Sequence, residues 1–290
     1  MKSHSLSKRG HFVQAPYLFI LPAFLILFSV VVFPAIMTLR YSFSTSEGNF
    51  TLDNYSYLLS DKLFFSAFKN TLMFVGGSVA FQYIIGLGMA LLLNLEFKGR
   101  PIFRLIALLP WMIPDVISGV IWKWTLDPTF GFLNDFLLKL GFIDEGILWL
   151  SKSHLALLCT VSVNIWRGFP FVMIILLAGL SSIPGQLYEA ASVDGAKRIQ
   201  RFLYITLPSL RGATIVALAL ATVWEFRRFG LIMAFTRGGP GRATEVFSTF
   251  VYKQYFEFFR FEYASATAIV ISAIICVISL PYLYTIMRQT

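Results

Sequence analysis

Three runs of 23 or more residues without one charged side chain constrain this sequence more than anything else in it: Tyr17 to Leu39, Thr71 to Asn94 and Ala264 to Met287. About 20 apolar residues in a helix cross the hydrocarbon of a bilayer, so each run is long enough to span. Only 13% of the 290 residues are charged and 57% are hydrophobic, against about 25% charged in a soluble domain. The expected class is therefore an all-α, polytopic membrane protein. Three further spans are interrupted by polar residues. The third carries Pro110, Pro114 and Asp115, and the fourth is broken only by Arg167. The fifth opens on Pro208, is apolar to Trp224, breaks at Glu225, Arg227 and Arg228, and resumes at Phe229 to Phe235.

Six spans are thus predicted, at about 17–39, 70–94, 102–125, 155–183, 208–235 and 264–287, behind an N-terminal tail at 1–16. The first is too long for the apolar core of a signal peptide, about 7–15 residues, and is expected to be retained. Met37 to Phe68 reads as an aqueous loop and Asp127 to Lys152 as an amphipathic, acid-biased stretch outside the membrane. The net charge of +9 comes from basic residues at segment ends, which excludes a nucleic-acid surface. The segments sharing a side with both termini hold Lys2, Lys8, Arg9, Lys98, Arg100, Arg104, Lys197, Arg198, Arg201, Arg211 and Arg288, against Glu96, Glu189 and Asp194. That asymmetry puts the termini and the 184–207 loop in the cytoplasm. Thr236 to Glu262 fits the outside less well, since Arg237, Arg242, Lys253 and Arg260 offset its acids.

Two cysteines inside apolar runs and three scattered histidines make no disulfide or metal framework. GxxxxGK[ST], HExxH, GxSxG and CxxC are all absent, so nucleotide binding and catalysis find no motif here and no enzyme is predicted. The polar residues inside spans are Asp115, Asn164, Arg167, Glu225, Arg227 and Arg228. A charge at bilayer depth costs about 2.5–3.5 kcal/mol on insertion scales and faces protein or a cavity. Glu225 and Arg228, three apart, can pair; Asn164 and Arg167, one turn apart, are read as cavity-facing. Trp166, Trp224 and Phe226 are the aromatics best placed to stack on a sugar ring, although most aromatics in such a chain pack or face lipid.

The segment from Ser182 to Pro208 has the shape of a docking element. Pro184 suits a first helical position and Gly195 a bend with positive φ. Glu189 is the one acid of the first short helix, beside the small Ala190 and Ala191, and Lys197, Arg198 and Arg201 give the second a basic rim. The pattern Glu189-Ala190-Ala191, x3, Gly195, x9, Ile205, x, Leu207, Pro208 resembles the EAA loop of bacterial ABC importer permeases at every fixed position. Leu109-Pro110-Trp111 with Ile113-Pro114, and Thr236-Arg237-Gly238-Gly239-Pro240 with Thr244, resemble the carbohydrate, or maltose-type, branch. The resemblance implies a six-span permease in a bacterial or archaeal inner membrane, with a cytoplasmic coupling-helix loop. It also implies a second, different permease subunit, an ABC ATPase dimer that carries ATP and Mg, and an extracytoplasmic solute-binding protein delivering a sugar or oligosaccharide. Glycerol-phosphate, polyamine or another solute, or a secondary transporter, is the competing expectation.

Overall fold

The computed structural model describes residues 15–287, and among them every regular element is a helix. Residues 1–14 of the expected tail, with Lys2, Lys8 and Arg9, and Arg288 at the other end lie outside the described residues. The segments Ala15–Leu27, Phe28–Val32 (a π-helical turn) and Phe33–Ser42 run on as one helix, α1. Short α2 (Asp53–Ser60) leads to α3 (Lys62–Asn94), whose start is capped by Asp61 accepting from Leu63 N at 2.8 Å. The loop expected to reach Phe68 therefore ends two turns earlier. Charged Lys62 and Lys69 sit on the helix because a span of 33 residues extends beyond the hydrocarbon.

The third predicted span is two helices, α4 (Arg100–Met112) and α5 (Asp115–Thr125), bent by 95° at Ile113 and Pro114. Proline has no N–H for the helical ladder and pushes the residue before it out of the α region; Ile113 is indeed extended, at φ −75° and ψ 129°. After α6 (Phe132–Lys139) comes α7 (Ser153–Ser181). Then α8 (Gly185–Val193) and α9 (Arg198–Ser209) form the predicted docking loop. Pro184 is the cap before α8 rather than its first residue. Pro208 lies inside α9 and opens nothing; the 63° bend comes at Leu210, before α10 (Arg211–Phe226). The expected run to Phe235 is broken as well, since α10 ends at Phe226 and α11 (Gly230–Phe235) is a separate helix packed on α5. Last come α12 (Phe247–Tyr252) and α13 (Phe261–Met287).

Helices α3 and α7 form the spine. A methyl group at Gly86 would stand 3.0 Å from Val172 Cγ1 and 3.1 Å from Met173 N, so glycine is what lets these backbones touch. Gly77 likewise faces Val161, so residue numbers rise together along both helices and they run parallel. The starts of α3 and α7 therefore share one membrane face, while Asn94, Ser181 and the α8–α9 loop share the other. One apolar core, including Phe64, Phe74, Phe247 and Phe250, fills the first end; another, including Leu93, Leu176, Leu180 and Leu210, fills the second. From Phe19 to Ile36 every side chain of α1 is exposed, and only the last part of the helix, Phe33–Ser42, packs on α13.

Candidate solute pathway and coupling element

Between the two cores lies a polar layer. Asn164 stands about 17 Å along α7 from Ser153 at 1.5 Å per residue, near mid-membrane. Its Nδ2 donates to Glu225 Oε2 at 2.6 Å and to Ser78 Oγ at 2.9 Å. Gln82 Nε2 donates to Glu225 Oε1 at 3.0 Å and to the Asn164 carbonyl at 3.1 Å. Arg228 grips Glu225 through Nη2 at 2.9 Å and Nε at 3.2 Å, and reaches Asp115 Oδ1 through Nη1 at 2.9 Å. Arg167 Nε lies 2.7 Å from Asp115 Oδ1 as an ion pair whose N–H is not aimed for a hydrogen bond, so that contact is Coulombic.

Two acids and two arginines thus balance, with α3, α5, α7 and the end of α10 tied together. Buried charges persist where they are paired and hydrogen-bonded, as here. The spacing of Glu225 and Arg228 is realised as a direct ion pair. Asn164, expected to face a cavity, is instead fully buried as a hub for Glu225 and Ser78. Arg167 and Arg228 edge a small cleft that Trp111, Phe171 and Trp224 also line, with a volume of about 10 Å³, about what one water needs. Phe171 and Trp224 are in contact, ring centroids 4.4 Å apart. Trp166 packs edge-on against Trp122 at 5.4 Å, and Phe226 is in the core, so Trp224 alone of the three candidate aromatics is near the cleft. Ser78 and Gln82 were missed, because an uncharged polar side chain in an apolar run carries little signal by composition.

A second buried ion group was also missed. Glu245 meets Lys253 at 2.9 Å and Arg242 at 3.3 Å, and Asn70 Nδ2 ties that loop to α3 through the Arg242 and Glu245 carbonyls. Thr236 and Thr244 join hydroxyl to hydroxyl at 2.6 Å across a loop with positive φ at Arg237, Gly238, Gly241 and Arg242. Two of the basic residues that blurred the outer charge balance are therefore paired with one carboxylate, and the group keeps a net charge of +1.

At the opposite face, α8 ends in a paired turn: Gly195 N donates to Ser192 O at 3.1 Å and Ala196 N to Ala191 O at 2.9 Å. Gly195 has φ +78°, the left-handed conformation that such a helix end needs. Tyr188 and Thr206 share a hydrogen bond of 3.0 Å, and Arg201 Nη1 donates to Ser192 Oγ at 2.8 Å, so the two short helices are locked together. Glu189 and Ala190 are exposed, with Ala191, Ile205 and Leu207 half-buried and Pro208 exposed. Leu187, Val193, Ile199 and Tyr204 are exposed around them, Val193 at 88%. Among the described residues no ion pair engages Glu189.

Residues 82–290 match the family described as "Binding-protein-dependent transport system inner membrane component", and the chain belongs to that family. It is a multi-pass inner-membrane transport component rather than an enzyme. It is 34% identical over 273 residues to the sulfoquinovosyl glycerol transport system permease protein SmoG of Agrobacterium fabrum, covering 92% of this chain and 88% of that one. It is 35% identical over 274 residues to the trehalose/maltose transport system permease protein MalF of Thermococcus litoralis, covering 92% and 91%. The crystal structure of a bacterial ABC transporter involved in the import of the acidic polysaccharide alginate contains a chain of the same fold. It superposes with a TM-score of 0.84 and 27% identity over 95% of this chain and 96% of that one.

Proposed function

We propose that this chain is one of two different permease subunits of an ATP-driven importer for a sugar or oligosaccharide. An extracytoplasmic binding protein delivers the solute, and an ABC ATPase dimer, holding ATP and magnesium, seats on the α8–α9 loop. The observation that carries the coupling half is the unpaired, exposed Glu189 set among uncovered apolar side chains. A cation on the ATPase surface would complete it, and small Ala190 lets a partner backbone approach. The relatives named for sulfoquinovosyl glycerol and for trehalose/maltose support a carbohydrate. A chain of similar fold also belongs to an alginate transporter crystallised with its pentasaccharide-bound periplasmic protein.

In this reading Arg167, Arg228 and Trp224 meet the solute, while Asn164 and Glu225 position the arginines. Hydroxyl or acid groups of a sugar accept from guanidinium, and a ring face stacks on Trp224. Because the cleft is nearly closed, the solute enters when ATP binding draws the coupling elements together and the subunits part on the outer side. Arg167→Ala should lower uptake at subsaturating sugar by about tenfold or more, the worth of about 1.5–3 kcal/mol for a hydrogen bond to a charged group. The complex should still assemble. Uptake across a sugar panel, chosen by what the cognate binding protein binds, tests this: an unchanged rate for the variant on every sugar would remove Arg167 from the pathway, and binding of polyamine or glycerol-phosphate alone would remove the carbohydrate.

The same reading places the coupling loop and both termini in the cytoplasm. In intact cells, a membrane-impermeant thiol reagent should label Lys139→Cys and spare Ser192→Cys, both exposed positions. Asn134, at the centre of the same outer stretch, is buried and unsuitable as a reporter. The reverse labelling pattern would invert the topology.

A further inference from the structure

Residues 126–152 form a lobe that neither the polar layer nor the coupling element uses. Asn134 holds it together: Nδ2 donates to Ile147 O at 3.1 Å, and Oδ1 accepts from Ile147 N at 3.2 Å and Trp149 Nε1 at 2.9 Å. Leu126, Leu133, Trp149 and Leu150 pack into the core beside Phe64 and Phe74 of α3. The lobe also leads directly into the start of α7, so it lies at the membrane face opposite the α8–α9 loop.

Helix α6 has three faces. At about 100° per residue, Leu133, Leu137 and Asn134 turn inward, Phe132, Phe136 and the C-cap residue Leu140 form the adjoining stripe, and the exposed Leu138 lies on the other side of Asn134. Asp135 and Lys139, paired at 2.7 Å, lie beyond that stripe. Phe132 and Phe136 have their rings stacked 5.9 Å apart. Phe132 is 68% exposed, Phe136 and Leu140 are exposed too, and Phe130 and Phe142 flank them at 70% and 74%. Nothing among the described residues covers these five side chains.

We propose that α6 is an interfacial amphipathic helix, its stripe of Phe132, Phe136 and Leu140 seated in the headgroup boundary of the bilayer and its Asp135, Lys139 pair in water. Continuity favours lipid as the occupant. The lobe follows α5, whose Val116, Ile117, Ile121 and Trp124 are exposed and apolar, and the exposed Phe130 and Phe132 come next along the chain after Trp124. Tryptophan, phenylalanine and leucine are the residues that interfacial amphipathic helices carry on their apolar face. A binding protein, by contrast, lands and leaves, so a surface reserved for it stands in water between visits. Interfaces of that transient kind are about as apolar as ordinary protein surface, and a contiguous apolar patch left in water invites association.

The test uses the complete importer reconstituted in liposomes, with Cys159→Ser and Cys276→Ser removing the native thiols and uptake confirming that the background works. Nitroxide labels are placed at Phe136→Cys or Lys139→Cys, both exposed positions whose replacement gives up only the ring contact with Phe132 or the ion pair with Asp135. Oxygen partitions into the bilayer, whereas a nickel chelate stays in water. The proposal predicts that the label at 136 collides several-fold more with oxygen than with nickel, and that the label at 139 shows the reverse. Equal nickel access at both positions would overturn it. So would a label at 136 closed to both quenchers, which means protein cover, or one open to nickel until binding protein is added, which means a docking site.

Discussion

Glu225→Leu is expected to cost the folded permease about 3–5 kcal/mol, the range for removing one partner of a buried charge pair, and to abolish uptake. The carboxylate is 2% exposed and accepts four hydrogen bonds, from Asn164, Gln82 and two nitrogens of Arg228. With leucine there, Arg228 keeps only Asp115, which Arg167 already claims, and two buried amides lose an acceptor. Such a loss reaches assembly as well as transport, a stronger effect than polar groups lining an open cavity would give. Removing the cation too should help: Glu225→Leu with Arg228→Leu leaves Asp115 and Arg167 as a balanced pair. The double variant should therefore be more stable than Glu225→Leu alone. Thermal unfolding of the purified complex, followed by size-exclusion, reads both. A melting temperature unchanged in Glu225→Leu, or lower still in the double variant, would contradict the network as the bolt between α3, α7 and α10.

Gly195→Val should nearly eliminate uptake while leaving the amount of inserted permease close to normal. A Cβ at this position meets nothing within 4 Å, so the penalty is purely conformational. Left-handed backbone costs an L-residue about 1–2 kcal/mol and is worst for a β-branched one. The turn relieves the strain by changing φ, which breaks the Ala196 to Ala191 bond and swings α9 relative to α8. Because the turn is at an exposed tip, the two apolar cores do not feel it. Asparagine tolerates the left-handed region, so Gly195→Asn should restore most of the uptake. A valine variant that transports normally, or an asparagine variant as defective as valine, would show that the backbone geometry of this turn is not what matters.

Much of the fold was readable from hydropathy and punctuation. Charge-free runs such as Thr71 to Asn94 and Ala264 to Met287 leave few alternatives to helices, and the EAA-like spacing located both short helices and the positive-φ glycine. Prolines were less faithful guides. Pro114 breaks its helix by 95°, yet Pro208, itself exposed, rides inside α9 just after the π-helical turn Phe202–Thr206. For the polar layer, the pair Glu225 and Arg228 was legible because it is local, three residues apart. Asp115, Asn164 and Arg167 were legible as polar residues inside spans but their partners were not: Gln82 and Glu225 are 143 positions apart and Asp115 and Arg228 are 113, and only the chain's path brings them together. The same reason turned Asn164 from an apparent cavity residue into a hub, whereas Glu245 with Arg242 and Lys253 is local in sequence and was hidden because that stretch reads as an aqueous loop, where charges carry no signal of burial.

The coupling surface carries the central claim, and Glu189 tests it most directly, since its side chain is exposed and no ion pair engages it among the described residues. Glu189→Lys therefore costs the isolated subunit little, but it places a like charge against the cation that an ATPase would offer, and like charges brought together across an interface cost several kcal/mol. The deciding measurement is recovery of the ATPase with tagged permease, wild type against Glu189→Lys, alongside sugar uptake in the same cells. The account predicts normal permease in the membrane, sharply reduced ATPase recovery and no uptake; undiminished ATPase recovery with normal uptake would contradict it.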